Sequence, residues 1–90
     1  MTRFLVSEEN PAGSKLEDLL INIRGDILHR CTKIANDQRP EAMHVLANNV
    51  LILEHLTEAI QLAMDSTKIL DTAFGKSQAD KGGPPRIGVA

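Results

Sequence analysis

Aromatic residues are nearly missing from this chain: two Phe, no Tyr and no Trp among ninety residues. Any core must therefore be built from Leu, Ile, Val, Met and Ala. That palette suits helix packing and argues against a small β-sandwich or barrel, where aromatic and β-branched residues dominate. Cysteine is equally scarce. A lone Cys31 excludes an internal disulfide framework and a multi-cysteine zinc site, and it fits a reducing cytoplasm. Basic excess is lacking too: the net charge is −2, which leaves no global footprint for nucleic acid or anionic lipid. Long apolar runs do not occur. The run Phe4-Leu5-Val6 is far too short for a signal peptide, and the stretch Val45 to Leu53 is interrupted by Asn48 and Asn49 and closed by Glu54, so it cannot span a bilayer.

What is present is helical periodicity. Hydrophobic residues make up 42% of the chain and charged residues 24%, a globular balance at a length that allows one small domain. Residues 1–13 read as a flexible arm ending in the turn-forming cluster Asn10-Pro11-Ala12-Gly13. Ser14-Lys15-Leu16-Glu17 then has capping-box spacing, with Ser14 expected to accept from the Glu17 N–H while Glu17 reaches back. Leu16, Leu20, Ile23, Ile27 and Ile34 recur at steps of three, four and seven and form one helical stripe. Leu19 and Leu28 widen it. This first helix is expected over about 14–36, with Arg30 and Lys33 suited to its C-terminal dipole.

Asn36 to Arg39 is a short polar connection. Pro40 drives Arg39 out of the α region and opens a second helix, expected over about 40–75. Met43, Leu46, Val50, Leu53, Ile60, Met64 and Phe74 carry its spacing, and Gly75 suits its C-cap. Residues 76–90, with Gly82-Gly83-Pro84-Pro85 and few apolar side chains, read as a disordered tail. A short connection makes the helices antiparallel neighbours, so the fold class is an all-α helical hairpin. A hinge near Gln38 places Leu16 by Ile60, Leu20 by Leu56, Ile23 by Leu53 and Ile34 by Met43. Residues beyond about Leu62 are then left without an antiparallel neighbour.

Two helices cannot enclose this much apolar surface. Leu51, Ile52, Leu56, Leu62 and Ala63 flank the main stripe of helix 2, and Val50, Ile69, Leu70 and Phe74 extend it. These nine residues are the expected interface. Leaving several Leu or Ile side chains wet forgoes about 1.5–3 kcal/mol each, so the expected state is a homodimer with two-fold symmetry and its hairpins packed as a four-helix bundle. The arm is an alternative cover for the far end of helix 2. Residues 14–39 carry five basic and four acidic side chains, net +1, whereas residues 40–75 carry one basic and five acidic, net −4. Opposite signs favour helix 1 against helix 2, within or between subunits.

Chemistry is sparse. Asp26 with His29 and Glu41 with His44 each place a carboxylate and an imidazole one turn apart, the arrangement that carboxylate-bridged metal bundles use on facing helices. The additional inward Glu residues of such bundles have no obvious counterparts here, and two solvated surface pairs is the plainer reading. His29 with Arg30 and Lys33 offers an imidazole and two cations for a phosphoryl group, against the plainer reading of a helix-terminal cationic cluster. Cys31 and His29, two apart, point to different faces and cannot cooperate; Cys31 reads as structural. Gly25, costly inside a helix, suggests close approach of a neighbouring helix. One of Asn48 and Asn49 is a candidate for a buried polar residue that fixes register. A basic face made of Arg24, Arg30, Lys33 and Arg39 is the remaining route to nucleic acid, although no aromatic platform exists for stacking bases. The function expected from these features is a non-catalytic helical regulator or adaptor, with no cofactor, no enzyme activity and no membrane partner. A bundle carrying a metal or phosphoryl group on His29 or His44 is the alternative.

Overall fold

A computed structural model describes residues 3–75, and the tail expected over 76–90 lies outside them. Two helices account for most of this length: α1, Leu16–Ile34, and α2, Pro40–Phe74. They pack against each other as an antiparallel hairpin, and the described residues contain no strand beyond two isolated bridges in the arm. The hairpin measures 53 × 26 × 17 Å, and its long axis matches the about 52 Å expected of a 35-residue helix. Its radius of gyration is 17.1 Å, where a compact domain of this size would have about 11–12 Å. The shape is that of two rods without a filled interior.

The boundaries follow local chemistry. Arg39 is extended (φ −65°, ψ 140°) because the Pro40 ring disfavours the α region for the residue before it. The Asp37 carboxylate clasps Arg39 from the side, accepting from its Nε at 3.0 Å and from its backbone N–H at 3.0 Å. The side-chain contact, then the backbone N–H, holds the Asp37 carboxyl below its usual range, and the same contact raises the Arg39 guanidinium. At the other end Gly75 takes φ 78° and donates its N–H to the Asp71 carbonyl at 2.9 Å, a conformation that glycine adopts without a Cβ penalty.

The expected capping box does not form. Lys15 is the N-cap residue of α1 and makes no side-chain cap. Ser14 is held instead by the arm: its N–H donates to the Phe4 carbonyl at 2.9 Å, and its carbonyl accepts from the Val6 N–H at 2.9 Å. Glu17 turns inward and accepts from the Thr67 hydroxyl at 2.7 Å. A partner across the hairpin outcompetes the local cap because Glu17 is 9% exposed, and a buried carboxylate requires a hydrogen-bond donor.

The seam between the helices is offset from the hydrophobic stripe. On α1 the half-buried and buried positions are Glu17, Leu20, Arg24, Ile27, Cys31 and Ile34, with Leu19 beside them. Leu16 and Ile23, expected in the seam, are 45% and 50% exposed. On α2 the seam runs through Ala42, Leu46, Asn49, Leu53, Leu56, Ile60, Ala63, Thr67 and Leu70, alternating steps of four and three as a helix-packing stripe should. Asn49 is thus the polar seam residue and Asn48 is exposed.

The register also shifts. Arg24 Nη1 donates to Thr57 Oγ1 at 3.2 Å, where the expected pairing would bring Ile52. Glu17 meets Thr67, where it would bring Ala59. The cause lies in the connection. Ala35 keeps α-helical dihedrals and Arg39 is extended, so the five residues run partly onward along the axis before α2 turns back. Met43, expected against Ile34, is 58% exposed and lines a hollow with Leu46, Ala47, Ala35, Asn36 and Gln38.

A Cβ added at Gly25 would meet no atom of a neighbouring element within 4 Å, so the hairpin itself makes no close helix crossing there. Its cost is uncompensated by packing. Gly25→Ala is expected to stabilise the chain by about 0.5–1 kcal/mol, the helix-interior difference between the two residues, read as a higher urea midpoint with unchanged slope. A lower midpoint would show that another helix occupies this position.

Candidate interaction surface

Hydrophobic burial in this fold is shallow. Among the described residues only Ile60 (4% exposed) and Ala63 (8%) are buried hydrophobics, and no large side chain is fully enclosed. The expected interface residues divide accordingly. Val50, Leu51, Ile52, Leu62, Ile69 and Phe74 are exposed, with Leu62 at 69%. Leu56 and Leu70 are half-buried in the seam, and Ala63 is buried against α1 and the arm. Hydropathy spacing alone did not separate seam from flank, and Leu16, Ile23, Ile21 and Leu28 on α1 belong to the same exposed apolar surface.

The arm is a closed loop and not a loose lead-in. Ser7 and Asn10 exchange backbone hydrogen bonds at 3.2 and 3.0 Å around Glu8 and Glu9, and the Gly13 N–H donates to the Asn10 carbonyl at 3.0 Å. The Asn10 side-chain amide donates to the carbonyls of Arg3 and Leu5, each at 3.0 Å. Arg3 and Glu9 form an ion pair across the loop. Ser7 is 7% exposed, and its two backbone bonds satisfy the buried peptide groups.

This loop stands beside the start of α1 and the middle of α2. Leu5 and Val6 from the arm, Leu16, Glu17 and Leu20 from α1, and Ala59, Leu62, Ala63, Ser66 and Thr67 from α2 line a cavity of about 450 Å³. Ala63, Ser66 and Thr67, expected to lack a neighbour, share this cavity with α1 residues because of the shifted register. The small side chains Ala59, Ala63 and Ser66 create the space. Its walls are aliphatic, and Glu17 with its Thr67 partner supplies the polar edge.

Helical spacing sorts the exposed apolar residues into two broad faces. Val45, Ile52, Leu62 and Ile69 lie on the arm side of α2, continuous with Leu16 and Ile23 of α1. Met43, Val50 and Met64 lie on the opposite side with Ile21 and Leu28, and Leu51 joins Met43, Ala47 and Val50 in the hollow near the connection.

The candidates for chemistry remain apart. Asp26 Oδ1 faces Arg30 Nε at 3.6 Å, and the His29 carbonyl accepts from the Thr32 hydroxyl at 2.6 Å. Asp26, His29, Glu41 and His44 are all exposed, and among the described residues no group of three or more His, Cys, Asp or Glu is placed to hold a metal ion. The four cations of the expected basic face are largely engaged: Arg24 with Thr57, Arg30 with Asp26 and Arg39 with Asp37. Cys31 is a free thiol, half-buried in the seam. No described helix is long and apolar enough to cross a membrane.

The fold and this surface define the chain as an all-α helical hairpin with an apolar cavity under a folded N-terminal loop. No protein-family model, curated protein sequence or solved structure matches it.

Proposed function

We propose that the chain is a non-catalytic helical interaction module, a small regulator or adaptor working through protein–protein contacts as a homodimer whose hairpins pack as a four-helix bundle. The observation that carries this reading is the imbalance between seam and flanks. Among the described residues, Ile60 and Ala63 are buried while fifteen large hydrophobic side chains, thirteen of them in the hairpin, are at least 39% exposed. Exposed apolar surface on this scale is characteristic of an interaction site, and each Leu or Ile covered there contributes up to about 1.5–3 kcal/mol. The working compartment under this reading is the cytoplasm, supported by a lone thiol where a secreted domain of this size would use disulfides.

Light scattering of the full chain over a tenfold concentration range tests the dimer. The expected mass is twice 9.8 kDa, constant across the range. A mass of one chain throughout would overturn the homodimer and direct the apolar flanks to a different protein.

A further inference from the structure

We infer that the cavity under the arm binds a small amphiphilic amine, its ammonium group on the Glu17 carboxylate and its aliphatic body against the arm, α1 and α2. The site lies within one chain and needs no second copy.

The carboxylate selects the ligand. Glu17 is 9% exposed and lines the cavity. Its Oε2 accepts from the Thr67 hydroxyl at 2.7 Å, and no other described residue donates to it. The three ion pairs among the described residues lie elsewhere: Arg3 with Glu9, Arg30 with Asp26 and Arg39 with Asp37. Lys15 also lines the cavity, but it is exposed and pairs with no described residue. Glu17 thus keeps acceptor capacity on Oε1 and has no cation beside it, although an enclosed carboxylate is stabilised by both a donor and an opposite charge.

The walls set the rest of the molecule. Leu5 and Val6 of the arm, Leu16 and Leu20 of α1, and Leu62 and Ala63 of α2 offer aliphatic contact from three segments. The volume of about 450 Å³ lies within the about 300–1,000 Å³ of small-molecule sites, which combine apolar walls with a few orienting polar groups. The hollow near the connection is larger, about 950 Å³, but its one carboxylate, Asp37, is already clasped by Arg39. Size does not choose between the two; the uncommitted carboxylate does. An anionic ligand would meet Glu17 as a like charge, and a neutral alcohol brings a donor without charge. An ammonium brings three donors and the opposite sign.

Titration of the isotope-labelled full chain with octylammonium, followed by amide NMR shifts, tests the site, with octanol and octanoate as comparison ligands. Saturable shifts are expected at Val6, Leu20, Ala63 and Thr67. Octanol should bind about tenfold more weakly, since it forfeits the charge-assisted bond, and octanoate more weakly still. Glu17→Gln retains an oxygen to accept from Thr67 and should cost octylammonium about tenfold in affinity while leaving octanol unchanged, a split that loss of structure would not produce. Ser66→Leu, at an exposed position on the cavity lining, should weaken amine and alcohol together with helix signal retained. The proposal is overturned if octanol or octanoate binds as tightly as the amine, or if Glu17→Gln leaves amine affinity intact. Shifts centred on Met43, Ala47 and Leu51 in the other hollow, or no saturable shifts at all, overturn it equally. None of these outcomes bears on the dimer, which light scattering reads separately.

Discussion

Ile60→Ala should destabilise the chain by about 2–5 kcal/mol, the range for truncating a buried aliphatic side chain and leaving its cavity. Ile60 is the most enclosed hydrophobic of the hairpin, at 4% exposure, and it stands in the α2 stripe between Leu56 and Ala63. Small domains have about 0.05–0.15 kcal/mol of stability per residue, so this single truncation removes a large share of the total for a ninety-residue chain. Leu51→Ala is the matched control. Leu51 is 54% exposed, and its loss should stay within about 1 kcal/mol. Urea unfolding monitored by helix signal at fixed protein concentration reads both. Equal losses at the two positions would mean that the seam is no better packed than the flank, and the hairpin would lose its claim to a core.

The second large effect belongs to the arm. Gly13→Ala should open the loop because an added Cβ would sit 2.5 Å from the Leu5 carbonyl carbon and 2.6 Å from its oxygen. The obstacle is backbone, which cannot swing aside as a side-chain tip would. The bonds at stake are Val6 N–H to the Ser14 carbonyl and Ser14 N–H to the Phe4 carbonyl, together about 1–3 kcal/mol. Amide hydrogen exchange at Val6 and Ser14 should accelerate on the order of ten- to a hundredfold, at 1.4 kcal/mol per factor of ten, while α1 and α2 keep their helix signal. Unchanged protection at both amides would show that the loop accommodates the methyl group.

Much of the hairpin is legible in the residue order. The three- and four-residue steps of aliphatic side chains announce two helices, and Pro40 with the polar residues before it announces the break between them. What hydropathy cannot show is the rotation of each helix about its axis. On α1 the stripe through Leu16 and Ile23 and the seam through Glu17 and Arg24 differ by one position, about 100° on a helix. Glu17 and Arg24 read as solvent residues in isolation, and only the hydroxyls of Thr67 and Thr57 across the hairpin make their inward placement tolerable. The same blindness produced the false capping box at Ser14. That motif competes with a tertiary partner fifty residues away, and no local window contains the winner. The turn cluster at Asn10 to Gly13 was visible, but its role in folding the arm back on Ser14 was not, because two of the groups it engages are main-chain carbonyls of Arg3 and Leu5. Among the flank residues, hydropathy could not assign Ala63 to the inside or Leu16 to the outside.

The two polar pairs across the seam also act as a key with unevenly cut notches. Glu17 and Arg24 are seven residues apart on α1, and Thr67 and Thr57 are ten apart on α2. A purely aliphatic seam repeating every seven residues would tolerate sliding by a whole heptad, since each leucine would meet another. Here such a slide cannot match both notches, and Glu17, left in the seam without its hydroxyl, would meet the desolvation cost of a buried carboxylate. Slippage is thereby opposed by mismatch at two polar positions and not by the quality of the aliphatic packing, which allows the rest of the hairpin to present its leucines outward without losing its alignment.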